Sequence, residues 1–277
     1  MIYFERARAA TQNWLSFLAM ICRPSQGRKK VSATKTTILL LLSVVFLFGF
    51  SDLAVAQRKF SRNFPAGGGV RMQLTNRTGT VTVVGWNRNE VSIVAMLEAP
   101  AANIVPVQSD GTIDINILRD NQGRDEVGNV NFTIRVPYNC TVSIETRMGN
   151  LSVTSVNGSF VRAHISTEGD IELTNIGAAN VAADTITGDI FYDGDVQGGG
   201  IYRFTAVKGN INIRIPFSSS FKFQATAPST RDISMGPFAD ASMNSLGTGR
   251  RIIGKFRDGA ATLTVTNQRG SIKFIQR

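Results

Sequence analysis

The chain has 277 residues, 43% of them hydrophobic and 18% charged, with 26 glycines and a formal net charge of +10 at pH 7. This apolar content can fill a core and excludes a largely disordered chain. The charge does not indicate a nucleic-acid surface, because residues 1–56 carry half of the basic excess and the other Lys and Arg residues are dispersed, with no long basic run after Lys59.

The first 56 residues have the three parts of a secretory signal. Basic residues precede an apolar segment, residues 38–50, and Ala54-Val55-Ala56 follows it. We predict cleavage before Gln57. The alternative is an uncleaved anchor, because residues 36–56 are long enough to cross a bilayer of about 30 Å. In both cases the following residues are exported, so we expect an extracytoplasmic location (periplasm, cell surface or medium), with membrane attachment only through a retained segment.

Residues 57–277 are predicted to form a single all-β domain. Short alternating segments bounded by Gly, Asn or Pro indicate strands in its first half. These segments are residues 60–64, 70–74, 80–84, 91–97 and 130–136. The polar stretch Asn121–Gly128 is predicted to be an exposed loop.

One phrase then recurs four times at spacings of 20, 19 and 21 residues. Its copies are Gly149-Asn150-Leu151, Gly169-Asp170-Ile171, Gly188-Asp189-Ile190 and Gly209-Asn210-Ile211. Apolar residues alternate with polar ones on both sides of each glycine, as expected of strands with one buried face. A near-constant period of this length predicts a β-solenoid, in which each coil buries its inner face against its neighbours.

The glycine of each phrase marks a corner of a coil, because glycine adopts positive φ without a Cβ clash and Asn or Asp tolerates it better than most residues. Two earlier stretches, Thr78-Gly79-Thr80 and Asp110-Gly111-Thr112, resemble the phrase, and Gly270-Ser271-Ile272 is its last copy. Residues 229–250 break the alternation. We expect this irregular tract to cover one end of the solenoid.

These features together resemble a bacterial family of exported β-repeat domains known as putative adhesins. The resemblance is carried by the repeated glycine phrase and by the runs Val84-Gly85-Trp86, Glu90-Val91 and Val136-Pro137. It implies a right-handed, β-helix-like domain outside the cytoplasmic membrane. The family provides no agreed catalytic residues to carry over, and we expect a protein that is not an enzyme.

The residues after the four corner glycines are Asn150, Asp170, Asp189 and Asn210. Stacked coils place such residues about 4.8 Å apart. We interpret them as structural, because polar residues suit the turn and stacked amides stabilise a column. Two alternatives remain, in which Asp170 and Asp189 bind Ca²⁺ or form the carboxylate pair of a polysaccharide-cleaving enzyme.

Three other residues have ordinary structural interpretations. Cys140 is predicted to be a small buried apolar residue, and His164 to face solvent between inward-facing neighbours. Trp86 follows a strand and is predicted to pack at a corner, with a sugar-stacking platform as the alternative. We therefore name no catalytic, cofactor-binding or metal-binding residue and expect no cofactor.

The sequence thus predicts a non-enzymatic adhesin or scaffold at the cell envelope, with an envelope glycan or protein as its unidentified partner. The outward-facing Arg162, Arg203, Arg214 and Lys222 are candidates to meet anionic glycans or lipids. Two alternatives remain: a carbohydrate-active β-helix that uses Asp170 and Asp189, and a membrane-anchored accessory domain in envelope-stress signalling.

Overall fold

The computed structural model describes residues 57–67, 69–239, 244–246 and 249–277. The predicted signal segment and Cys22 lie outside these residues. The described chain is almost entirely β, with one short helix, α1 (Ile117–Asp120), and two 3₁₀ turns, Thr230–Asp232 and Gly236–Phe238.

The strands form two sheets, which we call sheet A and sheet B. Sheet A contains β1 (Arg58–Pro65), β3 (Val81–Trp86), β4 (Glu90–Leu97), β7 (Val130–Pro137), β9 (Leu151–Thr154), β11 (Ile171–Ile176), β13 (Ile190–Gly194), β15 (Ile211–Ile215), β17 (Ile233–Ser234) and β21 (Ile272–Gln276). Sheet B contains β2 (Arg71–Thr78), β5 (Val107–Ser109), β6 (Thr112–Asn116), β8 (Thr141–Met148), β10 (Phe160–Glu168), β12 (Asn180–Thr187), β14 (Ile201–Lys208), β16 (Phe221–Thr226), β18 (Asn244–Leu246), β19 (Arg251–Phe256) and β20 (Ala261–Arg269).

Each regular coil is one strand of sheet B, a glycine corner and one strand of sheet A. Four such coils follow one another as β8–β9, β10–β11, β12–β13 and β14–β15, and equivalent strands pair in parallel. The β-solenoid prediction is therefore confirmed, and the alternating segments predicted in the first half of the chain are strands as well.

The core lies between the two sheets and is filled by every second side chain. One inward row of sheet B contains Val142, Val161, Val181, Tyr202 and Leu263, each at most 2% exposed. The row opposite in sheet A contains Leu151, Ile171, Ile190, Ile211 and Ile272, also buried. Burying one such aliphatic side chain contributes about 1.5–3 kcal/mol, so stacked rows of them dominate the stability of the coils.

The coils at both ends are stacked in a different order from the sequence. Sheet B runs β16, β20, β14, β12, β10, β8, β2, β6 through its parallel part. The last coil of the chain, β20–β21, therefore lies between β14–β15 and the outer pair β16 and β17. At the other end β2–β3 lies inside β6 and β7.

Antiparallel strands extend both ends of the stack. In sheet A, β4 pairs with β7 and β1 pairs with β4, and in sheet B, β19 pairs with β16. The Asp110-Gly111 pair is not a solenoid corner, contrary to the resemblance in the sequence. It forms the tight turn between the antiparallel β5 and β6, with φ of +48° and +71°, a conformation that favours Asp-Gly pairs.

Two irregular segments contribute buried residues. In the tract 229–250, Phe238 is fully buried, and its ring centroid lies 5.2 Å from that of Phe256 and 5.9 Å from that of Phe221. The predicted exposed loop begins with a buried residue instead: Asn121 donates to the carbonyls of Asn103 and Ile117. These bonds fix the start of the loop against α1, which explains the departure from the prediction.

Candidate functional site

Six corner glycines lie in one column along the edge of the solenoid. They are Gly79, Gly149, Gly169, Gly188, Gly209 and Gly270, with φ between +112° and +149°. A Cβ on any of the last five would lie 1.8–2.2 Å from the carbonyl oxygen of the glycine in the preceding coil. Both the positive φ and this close approach require glycine, so the recurring phrase reflects the stacking of the coils.

The polar residues after these glycines form a ladder of hydrogen bonds between coils. Oδ1 of Asn150 accepts from the backbone N–H of Asp170 at 3.1 Å, and Oδ1 of Asp170 accepts from the N–H of Asp189 at 2.8 Å. The ladder continues from Asp189 to the N–H of Asn210 at 2.7 Å, and from Asn210 to that of Ser271 at 3.2 Å. These contacts give the Asn and Asp column a structural role.

A second register row, inside the corner, contains four buried polar residues interrupted by Ile165 and Ala206, and these polar residues were not predicted from the sequence. Asn76, Thr146, Thr185 and Asn267 each precede a corner glycine by three residues and are at most 3% exposed. Thr185 Oγ1 donates to the carbonyl of Gly169, and Asn267 Nδ2 donates to that of Gly209. The sequence signal that could have identified these residues is a polar residue at a position that the alternation of the strand places inward.

Cys140 is fully buried at the start of a coil, as the sequence predicts for a small apolar residue. Its Sγ lies 3.4 Å from the carbonyl oxygen of Thr141. Burial raises the pKa of Cys140 to about 12, and a backbone hydrogen bond involving Met72 opposes this only in part. The thiol is therefore protonated at neutral pH.

His164 lies on a strand face and Trp86 at a strand end. His164 is half-buried on the outer face of sheet B, in register with Glu145 on one side and Asp184 on the other. Trp86 lies at the end of β3, and its Nε1 donates to the carbonyl of Glu90 at 2.8 Å. The guanidinium of Arg88 lies 5.0 Å from the indole ring centroid. Trp86 thus packs where its strand ends.

The structure separates the four predicted surface cations into two groups. Arg214 lies on sheet A and forms an ion pair with Asp193, whose side chain is only 4% exposed and also lies 3.1 Å from Nε of Arg277. The hydrogen bond to Asp193 raises the pKa of Arg214 above its ordinary value. Arg162, Arg203 and Lys222 lie on the outer face of sheet B. Arg214 is therefore committed to a structural ion pair.

A shallow groove of about 460 Å³ crosses the outer face of sheet B over β12. Arg162 and Arg203 flank Ala182 in the same register, one on each neighbouring strand. Apolar groups of Phe160 and Ile201 also line the groove, and Ile201 is 54% exposed. One acidic residue, Asp184, lines its edge two residues along β12 from Ala182, so the two arginines leave the groove with a net positive charge. In the described part of the chain neither arginine has an ion pair or a side-chain hydrogen bond. This groove is the candidate binding site.

The fold and this face define an all-β repeat domain, wound as a two-sheet solenoid with an open cationic groove. Residues 70–274 match the Toastrack DUF4097 family, and the chain belongs to it. This confirms the resemblance to an uncharacterised, adhesin-like family. No curated protein matches the sequence.

Several solved structures are similar to this chain. A putative cell adhesion protein from Clostridium sporogenes shares 10% identity over 80% of this chain and 100% of that chain, with a TM-score of 0.48. A putative adhesin from Bacteroides fragilis shares 12% identity over 80% and 99%, with a TM-score of 0.33. A putative lipid binding protein from Parabacteroides distasonis shares 9% identity over 79% and 97%, with a TM-score of 0.34.

Among the residues that the structure describes, none lies in a helix long and apolar enough to cross a membrane. Within the same residues, no three or more His, Cys, Asp or Glu side chains converge on a point where a metal ion could bind.

Proposed function

We propose that the protein is a non-enzymatic adhesin or scaffold of the cell envelope, which acts outside the cytoplasm and binds its partner through the outer face of sheet B. The observation that carries this proposal is the groove over β12, where two arginines without partners in the described chain flank a small residue. Unpaired guanidinium groups on a rigid sheet are available to an anionic partner without first breaking an ion pair.

The rigidity of the face supports a binding role. Around the groove, sheet B is backed by buried side chains, and β10, β12 and β14 are each paired with a neighbour on both sides. The arginines therefore protrude from a backbone that is ordered before the partner arrives. Such preorganisation reduces the entropy cost of association.

The location outside the cytoplasm is supported by the composition of residues 1–56, which have a basic start, an apolar middle and small residues before the predicted cleavage position. Cell fractionation followed by N-terminal sequencing tests it. We expect the protein in the envelope fraction or the medium, starting at Gln57 if the segment is cleaved. Recovery from the cytosol with an intact N-terminus would contradict the proposal.

Binding is tested by incubating the purified full-length protein with envelopes from the same cells and sedimenting them. We expect the protein to sediment with the envelopes and to be released as salt is raised, because exposed ionic contacts are screened within a Debye length of about 8 Å at physiological ionic strength. Protein that stays in the supernatant at low salt would argue against an envelope-binding role.

A carbohydrate-cleaving role for Asp170 and Asp189 can be tested separately. One oxygen of each carboxylate accepts a backbone N–H of the next coil, and an amide oxygen can accept the same bond. We therefore expect the double variant Asp170→Asn, Asp189→Asn to keep the wild-type stability within about 1 kcal/mol and to sediment with envelopes as before. Release of sugars from envelope polysaccharide by the wild type, lost in this variant, would favour the enzyme instead.

A further inference from the structure

We infer that sheet B binds an acidic polysaccharide in which charged and neutral sugars alternate, with the chain lying along the axis of the solenoid. This inference rests on the proposed function and specifies the partner of the same face. It is based on the spacing of four cationic residues, which we call the cation row: Arg71, Arg162, Arg203 and Lys222.

The cation row has one member on every second strand of sheet B. Arg71 lies on β2, Arg162 on β10, Arg203 on β14 and Lys222 on β16, and in the sheet β8, β12 and β20 lie between them. Adjacent strands are about 4.8 Å apart, so Arg162 and Arg203, which share one register row, are about 9.6 Å apart. Arg71 and Lys222 lie two residues, about 6.8 Å, earlier along their strands, so the two outer intervals are about 12 Å. The last interval depends on the position of β20, which separates β14 from β16.

The strands between the cations carry short side chains at the same level. Ser143 and Ala182 are in register with Arg162, and Thr264 is in register with Arg203. Arg71 and Lys222 lie two residues earlier along their strands than this register, on the same face. The cationic side chains therefore extend further from the sheet than the short side chains between them, and they can contact a ligand that passes over several coils.

Acidic residues lie on one side of the cation row. Glu145 and Asp184 are two residues further along their strands, in register with His164. Asp114 is at the level of Arg162 but is paired with Arg119 at 2.8 Å. In the described chain the four cations themselves have no ion pair. An anionic chain is thus attracted to the row and repelled from the side of Glu145 and Asp184.

The interval between cations selects the class of polyanion. The interval between Arg162 and Arg203 is close to the length of a disaccharide in an extended polysaccharide, so a chain with one carboxylate in every second sugar can meet these two cations in turn. The long side chains of Arg71 and Lys222 then reach toward the next carboxylate on either side. A nucleic-acid strand carries a phosphate about every 3.4 Å and does not match this interval. Phe160 and Ile201 add apolar contact area for the C–H faces of a sugar ring, and the amide of Asn180 can bond to its hydroxyls.

The test measures binding of the full-length protein to a hyaluronan octasaccharide, which alternates charged and neutral sugars, by isothermal titration calorimetry. We expect binding that the double variant Arg162→Gln, Arg203→Gln weakens about tenfold or more, because charge-assisted hydrogen bonds are lost. The matched control is Arg147→Gln, Arg269→Gln, which removes the same charge from exposed positions of sheet B outside the cation row. We expect the control to change the affinity less than about threefold.

A second variant tests the groove while keeping both arginines. Ala182→Glu places a carboxylate between Arg162 and Arg203 on the solvent side of β12, where it can pair with either arginine without disturbing the core. We expect it to weaken binding of hyaluronan at least as much as the arginine double variant. Unchanged binding by Ala182→Glu would overturn the proposed site.

Three further results would overturn the inference. The first is equal or tighter binding of an oligogalacturonate of the same length, which has a carboxylate on every sugar, because the spacing would then not matter. The second is equal loss of binding in the control variant. The third is binding to phosphatidylglycerol vesicles but not to hyaluronan. If the wild type does not bind hyaluronan but still sediments with envelopes, the polysaccharide inference is wrong and the proposed function stands. If the wild type does not sediment with envelopes, the proposed function itself is wrong.

Discussion

At the scale of single residues, the corner glycines are the positions where the sequence is most constrained. Gly188 has a φ of +142°, and a Cβ there would lie 2.0 Å from the carbonyl oxygen of Gly169. Gly123 has a φ of +79° with nothing within 4 Å of such a Cβ. The two glycines therefore share the need for positive φ but differ in the clash with a neighbouring coil.

We predict that Gly188→Ala lowers the free energy of unfolding by at least about 3 kcal/mol, because backbone strain and displacement of the preceding coil add together. The control Gly123→Ala is expected to cost about 1–2 kcal/mol, the cost of the left-handed conformation alone. Urea denaturation followed by circular dichroism measures both. If both substitutions lowered the free energy of unfolding equally, the coils at Gly188 and Gly169 would not approach each other as closely as the structure shows.

Buried acidic hydroxyl and thiol groups predict how stability responds to alkaline pH. Burial raises the pKa of Cys140 from its ordinary value of 9.0 to about 12, and burial raises the pKa of Tyr192 and of Tyr202 as well. In each case the native state keeps its proton while the unfolded state loses it. Stability is therefore complete below about pH 9 and falls as pH rises above that value.

We expect the contribution of Cys140 to fall by about 1.4 kcal/mol per pH unit between the unfolded and the native pKa. Urea denaturation at a series of alkaline pH values measures the slope. The variant Cys140→Ala should show a shallower decline than the wild type over the same range. Identical slopes in the two proteins would show that the thiol ionises as easily in the native state as in the unfolded one.

At the scale of elements, the coil formed by β20 and β21 is internal although it comes last in the chain. It pairs with β14 and β15 on one side and with β16 and β17 on the other. A solenoid stacked in sequence order would lose only its last coil if this segment were removed. Here removal separates two layers of buried side chains.

We predict that deletion of residues 260–277 abolishes cooperative unfolding of the remaining chain, because it exposes apolar surface inside the stack. The control deletes residues 57–65, which contain β1, an edge strand that pairs only with β4 and is mostly exposed. Thermal denaturation by circular dichroism should show a sharp transition for the control and none for the C-terminal deletion. A sharp, near-wild-type transition in both would contradict the internal position of β20 and β21.

The sequence predicted the strands and corners but not this order. Period and alternation are local signals, so they identified the corner at Gly270 and the inward rows. Which strands pair with each other depends on how apolar surfaces far apart in the sequence fit together. An example is the pairing of β14 with β20, which places Arg203 opposite Thr264. Local signals also could not show that Asp110-Gly111 is a hairpin turn and not a solenoid corner, because both kinds of turn favour similar residues.

At the scale of the whole molecule, the two outer faces differ in what they offer to a partner. Alternation identified Arg162, Arg203, Arg214 and Lys222 as outward-facing, but it could not distinguish the sheets or show that Arg214 pairs with the buried Asp193. That distinction requires the positions of residues far apart in the sequence, including Arg277. The sheet whose outer face carries cations without ion pairs is therefore determined by the assembled stack and not by the local sequence.

The position of β20 controls both the stability of the stack and the spacing of the cation row, so both depend on the spatial order of the coils. This order is tested by the distances between spin labels on one register row of sheet B, measured by pulsed electron resonance in a chain with both cysteines replaced by alanine. Gln73 lies five strand steps from Thr264 and six from Gln224. We predict backbone separations of about 24 Å and about 29 Å, so the Gln73–Thr264 distance is the shorter. A longer distance from Gln73 to Thr264 than to Gln224 would show that the coils stack in sequence order, with β16 and not β20 next to β14.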